Sequence, residues 1–327
     1  MGVHSTPGSH GRVLLFGATG TIGRAALEAL RARNWDVVCL VRPGTDSGAL
    51  PGVDVRPVDF SDPGDIERGG IRGETFDAAV SCMASRTGVP TDAWAVDHDA
   101  QQVALAAAQG AGAAHFVLLS AICVQKPKLA CQHAKLAFEA ALQNAGIGYS
   151  IVRPTAYFKS LSGQIGRVES GKPYLVFGDG RLTACKPISD RDLGVYLAEC
   201  LDRQDRAGRI LPIGGPGPAI TPRAQADHLF KAAVKPPRFR SVPPGFLKAV
   251  AAGLQGAGVL SGRARDRAEL ARIGHYYATE SMLLWDAAAG RYDADATPET
   301  GSDTLFEFYD RVLAGTAKVD LGDHAVF

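Results

Sequence analysis

The amino-acid sequence predicts an α/β protein, a doubly wound parallel sheet carrying a smaller C-terminal substrate lobe. Three observations lead there. Short, nearly unbroken apolar runs recur as far as Val152. Segments with helical apolar spacing separate them. A glycine-rich turn, Gly17-Ala18-Thr19-Gly20-Thr21-Ile22-Gly23, joins the first run to the first helix. Strands that are apolar on both faces belong to parallel sheets covered by helices on each side. Right-handed crossovers then make the doubly wound arrangement the natural outcome.

Taken in order, residues 12–17 (RVLLFG) read as the first strand. Residues 21–33 follow as a helix with Ile22, Ala25, Ala26, Ala29 and Leu30 on one face. Residues 36–41 (DVVCLV), 53–58 and 76–81 supply three more strands, and 93–108 a long alanine-rich helix. Residues 115–119 (HFVLL) form a fifth strand, 128–145 a helix and 149–152 a sixth strand. Beyond Arg153 the rhythm becomes irregular. Ser189 or Asp190 caps a helix running to about residue 201, and Thr221-Pro222 opens another. Between them, 211–218 (LPIGGPGP) reads as a glycine- and proline-rich loop. Residues 243–260 form an apolar helix with Phe246, Leu247, Val250, Ala251 and Leu254 on one face. That face suits packing on the core, or contact with a greasy substrate or membrane boundary.

Composition excludes several classes. The chain has 327 residues, 46% hydrophobic and 21% charged, with a formal net charge of +1. The apolar fraction is too high for disorder, and near-neutral charge offers no general pull toward nucleic acid. No segment approaches the ~20 apolar residues of a membrane-spanning helix. Cys39, Cys82, Cys123, Cys131, Cys185 and Cys200 are scattered with no C-x-x-C pair. They read as buried reduced thiols of a cytosolic protein, with no metal centre. His98, His115, His133, His228 and His275 show no ligand spacing. The start of the chain, Met1-Gly2-Val3-His4-Ser5-Thr6, fits the loose myristoylation pattern, which arises often by chance.

The glycine-rich turn is where chemistry enters. Without side chains, Gly17, Gly20 and Gly23 let the backbone turn sharply and approach a pyrophosphate, behind which a helix N-terminus offers free N–H donors. Thr19, Thr21 and Ile22 complete the cradle. NAD sites place an acidic residue at the end of the second strand. Here that place holds Arg42, whose planar fork of donors suits a 2′-phosphate, with Arg24 assisting from the first helical turn. The cofactor expected is therefore NADP(H). Asp59-Phe60, after the third strand, borders the adenine in this reading, or merely closes the strand. The expected organisation is a flexible tail at 1–11, an NADP-binding domain at 12–155 and a substrate lobe at 156–327, with some segments returning to the sheet.

The glycine spacing, Ser120 ending the fifth strand and Lys135 on the next helix resemble the extended and atypical short-chain dehydrogenase/reductases of the Rossmann superfamily. In that superfamily a tyrosine four residues before the lysine protonates a carbonyl oxygen, whereas this chain has Cys131. A cysteine is a poor acid for a developing alkoxide. Longer segments account for the departure: 118–127 (LLSAICVQKP), 149–161 (YSIVRPTAYFKSL), 171–190 (GKPYLVFGDGRLTACKPISD), 211–217 (LPIGGPG) and 273–283 (IGHYYATESML). From about Arg12 to Phe327 the chain resembles the NADPH-dependent divinyl chlorophyllide 8-vinyl reductases, whose members also lack that tyrosine.

The resemblance implies reduction of the 8-vinyl group of a divinyl chlorophyll precursor to ethyl, within chlorophyll or bacteriochlorophyll biosynthesis. Vinyl reduction forms two C–H bonds and no alkoxide, so the protein chiefly supplies proximity, orientation and water exclusion. Lys135 would hold the nicotinamide ribose, Ser120 would sit beside the nicotinamide, and Pro154 would shape its wall. Tyr157 is the expected acid, with Lys159 and a water behind it. Phe158, Phe177 and Asp179 are expected on the substrate side, although Phe177-Gly178-Asp179-Gly180 also reads as a hairpin turn. Cys131 reads as a small packing residue. A flat, greasy substrate calls for an apolar cleft above the nicotinamide and favours peripheral association with a photosynthetic membrane. The absence of a transit peptide suggests a bacterial form. Two competitors stay open: a non-catalytic NADP-binding sensor or assembly factor, and a reductase of another conjugated alkene.

Overall fold

A computed structural model describes residues 11–46, 48, 50–258 and 262–319. The N-terminal tail with its myristoylation pattern lies outside the described residues, apart from Gly11. Seven parallel strands form one sheet in the order β3-β2-β1-β4-β5-β6-β8. They are β1 (Gly11–Phe16), β2 (Trp35–Val41), β3 (Asp54–Pro57), β4 (Ala78–Ser81), β5 (His115–Leu119), β6 (Gly148–Pro154) and β8 (Arg209–Ile213). β7 (Tyr174–Phe177) and β9 (Phe239–Val242) pair with each other in parallel, outside the main sheet.

Strand order reverses at β1, which lies between β2 and β4, and this reversal opens a crevice at the carboxyl ends of the strands. Helices cover both faces. On one face α1 (Thr21–Ala32) packs its Ile22, Ala26 and Leu30 against Val13, Leu15 and Val80. On the other, α2 and α3 cover Leu14, Phe16, Phe116 and Ile151. The helix α3 spans Ala130–Gln143. The alanine-rich helix α2 runs as Pro90–Trp94, a wider π-turn at Ala95–Asp99, then Ala100–Gly110.

Residues 211–218 are not wholly a loop. Leu211, Pro212 and Ile213 belong to β8, which pairs with β6 as the seventh strand. A proline argues against a central strand, but β8 is an edge strand, where a missing N–H costs nothing. Downstream, α4 (Asp190–Glu199) takes Ser189 as N-cap, the Ser189 hydroxyl accepting from the Asp192 N–H at 3.0 Å. It returns to the sheet domain beside α1, so close that a Cβ on Gly194 would lie 2.5 Å from the Ala25 backbone. Helix α5 (Pro222–Ala232) is capped by Thr221. The expected helix at 243–260 is α6 (Gly245–Gly258), its last predicted residues lying outside the described ones. α7 (Gly262–Thr279) packs on it, and α8 (Leu305–Leu313) follows. Phe158, Tyr174, Val176, Phe230 and Tyr309 form a separate apolar cluster in the second half. Among the described residues no helix is long and apolar enough to cross a membrane.

Candidate active site

The turn after β1 has the shape a pyrophosphate cradle needs, for a separate reason at each glycine. Gly17 adopts φ 75°, and a Cβ there would lie 2.7 Å from the Cys82 carbonyl carbon, so this residue makes the tight turn against the end of β4. Gly20 is exposed, and a Cβ there would meet only the Gly17 carbonyl oxygen at 3.5 Å; the space in front of it is open. Gly23 sits in α1, where a Cβ would fall 2.0 Å from the Gly17 oxygen, so its bareness is what lets the helix dock on the turn. Gly20 N-caps α1 without a side chain, leaving the first N–H groups facing the opening. Ile22 is buried in the core and contributes packing, while the Thr19 carbonyl accepts from Arg24 Nε at 3.1 Å.

At the adenosine end, Arg24 and Arg42 are both exposed, the latter directly after β2. Asp59 is exposed and spends one carboxylate oxygen on the Ser61 N–H and hydroxyl, at 2.8 and 2.7 Å, which lowers its pKa. It therefore organises its own turn. Phe60 lies edge-on to Phe16, ring centres 6.1 Å apart, which puts it next to the start of the glycine turn.

On the other side of the crevice, Lys135 of α3 donates to Asp97 Oδ1 at 2.8 Å. Asp97 is fully buried and also accepts from the Ser85 N–H and hydroxyl, at 3.0 and 2.7 Å. Burial alone would disfavour the Lys135 ammonium; the charge and hydrogen bond of Asp97 outweigh it and raise the lysine above its ordinary value. Asp97 lies buried within the π-turn of α2. Sequence reasoning missed it, because an acidic residue in an alanine-rich helix reads as a solvated face. Ser120 is buried at the end of β5, and its hydroxyl donates to Glu139 at 2.5 Å. Glu139 in turn pairs with Arg153 of β6. Ser120 and Lys135 border the same small cavity, about 10 Å³, with Asp97, Gln101 and Phe138.

Pro154 ends β6, buried, and the chain then runs through Tyr157. Tyr157 is half-buried beside Cys82, burial raises its pKa, and its hydroxyl makes no hydrogen bond to a described residue. Lys159 does not stand behind Tyr157 as a relay. Its ammonium reaches the glycine turn instead, donating to Thr21 Oγ1 at 3.1 Å. Phe158, expected on the substrate side, is 2% exposed and packs on Phe308 within the second apolar cluster. The hairpin reading of Phe177-Gly178-Asp179-Gly180 fails, since β7 pairs with the distant β9 in parallel rather than with a following antiparallel strand. Phe177 is half-buried, and the exposed Asp179 accepts from the Arg181 N–H at 2.9 Å.

The position of the missing tyrosine is roofed by α7. Glu269 accepts from the Ala130 N–H at 3.0 Å, and Tyr276 donates to the Cys123 carbonyl at 2.8 Å. Ile273 and Cys131 both lie against Gly88. Burial pushes the Cys131 thiol up to about 12, so it stays a neutral packing group. Tyr277, its ring edge-on to Tyr276, is exposed on the same roof. The apolar cleft expected above the nicotinamide is thus occupied by α7 side chains, and the cavity beside Lys135 has room for about one water. A larger groove of about 380 Å³ lies at the start of α4, lined by Phe158 and Phe308 together with Arg191, Asp303 and Arg311.

A parallel sheet with its strand-order reversal at a bare glycine turn, facing a half-buried lysine on α3, defines a dinucleotide-binding protein of the Rossmann type. Residues 17–204 match the NAD(P)H-binding family. The chain is 44% identical to the chloroplastic divinyl chlorophyllide a 8-vinyl-reductase of Cucumis sativus, across 96% of this chain and 79% of that protein. To the enzyme of the same name from Arabidopsis thaliana it is 42% identical, across 95% and 79%. Among solved structures, the NADPH-dependent quinone oxidoreductase of Escherichia coli, complexed with NADPH, has the same fold. Its TM-score is 0.67 at 20% identity, covering 92% of this chain and 99% of that one. The chain belongs to the divinyl chlorophyllide a 8-vinyl-reductase family.

Proposed function

We propose that this protein reduces the 8-vinyl group of divinyl chlorophyllide, or of a related divinyl chlorophyll precursor, to an ethyl group with NADPH. The observation that carries the reading is identity of 42–45% to four plant 8-vinyl-reductases along nearly the whole chain. The bare cradle at Gly17, Gly20 and Gly23 fits a pyrophosphate, and the two exposed arginines fit a 2′-phosphate. Bound there, NADPH supplies the hydride. In this reading Gly17, Thr19, Gly20, Thr21, Ile22 and Gly23 hold the diphosphate through backbone N–H groups, Arg24 and Arg42 the 2′-phosphate, and Asp59 and Phe60 the adenine edge. Lys135, kept charged by Asp97, orients the nicotinamide ribose, Ser120 and Pro154 lie beside the ring, and residues 12–155 do the cofactor's share of the work.

Hydride arriving at the terminal vinyl carbon leaves an electron pair that the macrocycle delocalises, and a proton then completes the carbon next to the ring. Tyr157, with a free hydroxyl and a pKa that keeps it protonated, is the proposed donor. Replacing Tyr157 by Phe is expected to lower single-turnover reduction about 100-fold, the usual worth of a positioned acid, with NADPH affinity unchanged. A parallel Tyr277→Phe variant checks the roof tyrosine; loss of turnover in that variant alone would transfer the role. Residues 156–327, apart from α4 and β8, which return to the sheet domain, form the substrate lobe in this proposal, with Phe177 and Asp179 at its rim. The 10 Å³ cavity requires α7 to move off α3 before a chlorin disc can enter.

Mixing the purified protein with NADPH and divinyl chlorophyllide tests the whole reading. A substrate-dependent shift of the blue absorption band supports it; NADPH binding without that shift favours a sensor or assembly role. For cofactor choice, Arg42→Ala is expected to weaken NADPH binding about 10- to 100-fold, as loss of a charge-assisted contact does, while NADH affinity stays put. Equal losses for both would remove Arg42 from the 2′-phosphate. We further propose a cytoplasmic protein that associates peripherally with photosynthetic membrane, since Phe246 on α6 is 55% exposed. Flotation with galactolipid vesicles should carry the wild type and leave Phe246→Asp behind.

A further inference from the structure

Lys159 presents an arrangement that is electrostatically incomplete. It sits on the short helix Phe158–Leu161, just after β6, where the chain enters the second lobe. The backbone there is fixed: the Ile188 N–H donates to the Ala156 carbonyl at 3.0 Å, and the Phe158 N–H to the Ile188 carbonyl at 3.3 Å. From this anchored segment the half-buried ammonium crosses to Thr21 Oγ1. Among the described residues no carboxylate lies within ion-pair distance of it. Thr21 is the first residue of α1, so the ammonium stands at the positive end of a helix, with a neutral hydroxyl as its partner. Cations belong at the opposite end of a helix. Beside it, the face of Gly20 is open.

We propose that Lys159 closes the pyrophosphate site from the substrate-lobe side, so that the cofactor's diphosphate sits between the glycine turn and this ammonium. The inference rests on the reading that NADPH occupies the turn. An anion there receives the α1 N–H groups from one side and the Lys159 charge from the other, which resolves the repulsion. Because Lys159 is carried on the short helix whose Phe158 and Leu161 pack in the second apolar cluster, bound cofactor ties the second lobe to the sheet domain. Lys159 is thus a positioning residue for the lobe as well as a phosphate ligand.

The test compares Lys159→Gln and Lys159→Arg with the wild type, titrated with NADPH by nicotinamide fluorescence and with adenosine 2′-monophosphate by displacement. The second ligand carries the 2′-phosphate but no pyrophosphate. Lys159→Gln is expected to weaken NADPH about 10- to 100-fold and leave adenosine 2′-monophosphate unaffected, with Lys159→Arg recovering most of the loss. Wild-type NADPH affinity in Lys159→Gln would overturn the proposal while leaving the vinyl-reductase reading intact. Equal weakening of both ligands would also overturn it, since that marks a disturbed fold. Failure of the wild type to bind NADPH removes both readings together.

Discussion

A Gly23→Ala chain is expected to lose NADPH binding by more than about 100-fold and to unfold at a markedly lower temperature. Alanine is the better helix former by about 0.8–1.0 kcal/mol, so propensity alone predicts the opposite. Geometry overrides it. The added methyl would lie 2.0 Å from the Gly17 oxygen and 2.8 Å from its carbonyl carbon, backbone atoms that cannot rotate aside. Either α1 moves off the turn or the turn opens, and overpacking of this kind costs about 1–3 kcal/mol. Gly20→Ala makes the informative contrast. Its methyl meets only one atom, at an ordinary 3.5 Å, so thermal stability should hold while NADPH affinity falls, because the methyl occupies the approach to the diphosphate. Thermal unfolding and fluorescence titration read the two effects separately. A Gly23→Ala protein as stable as the wild type would show that α1 does not depend on this contact.

The second large effect concerns Lys135. Its removal, as Lys135→Met, leaves the Asp97 carboxylate in the interior without its counter-charge. Breaking a buried pair from one side costs about 3–5 kcal/mol; the two Ser85 hydrogen bonds to Asp97 offset part of that. Turnover should fall with it, by at least about 100-fold. The double variant Asp97→Asn/Lys135→Met separates the two roles. It carries no stranded charge, so stability should return toward the wild type while vinyl reduction stays lost. Recovery of turnover along with stability would mean that the lysine serves the fold alone.

Much of the architecture was legible because it is written locally. Strands covered on both faces must be apolar throughout, so β1, β2, β4 and β5 stand out in the chain, and β5 has the bounds expected of it. Ser189 and Thr221 announce their helices through side-chain oxygens that take an N–H three residues on. β8 was hidden by Pro212, whose meaning depends on whether the strand is central or at an edge. Phe158 is expected on the substrate side because an aromatic after a strand carries no sign of its surroundings; the structure packs it on Phe308, at the floor of the groove beside α4.

The sequence by itself determined a parallel sheet wound behind a glycine turn, since apolar periodicity and backbone freedom act over a few residues. Only the tertiary structure decided which charges face one another. Lys135 meets Asp97 across 38 positions and Lys159 meets Thr21 across 138. A lysine on a helix reads the same whether it ends in water, beside a buried carboxylate or at the mouth of a phosphate site. Packing of one element on another settles that choice, as it does for Asp97, buried within the π-turn of α2.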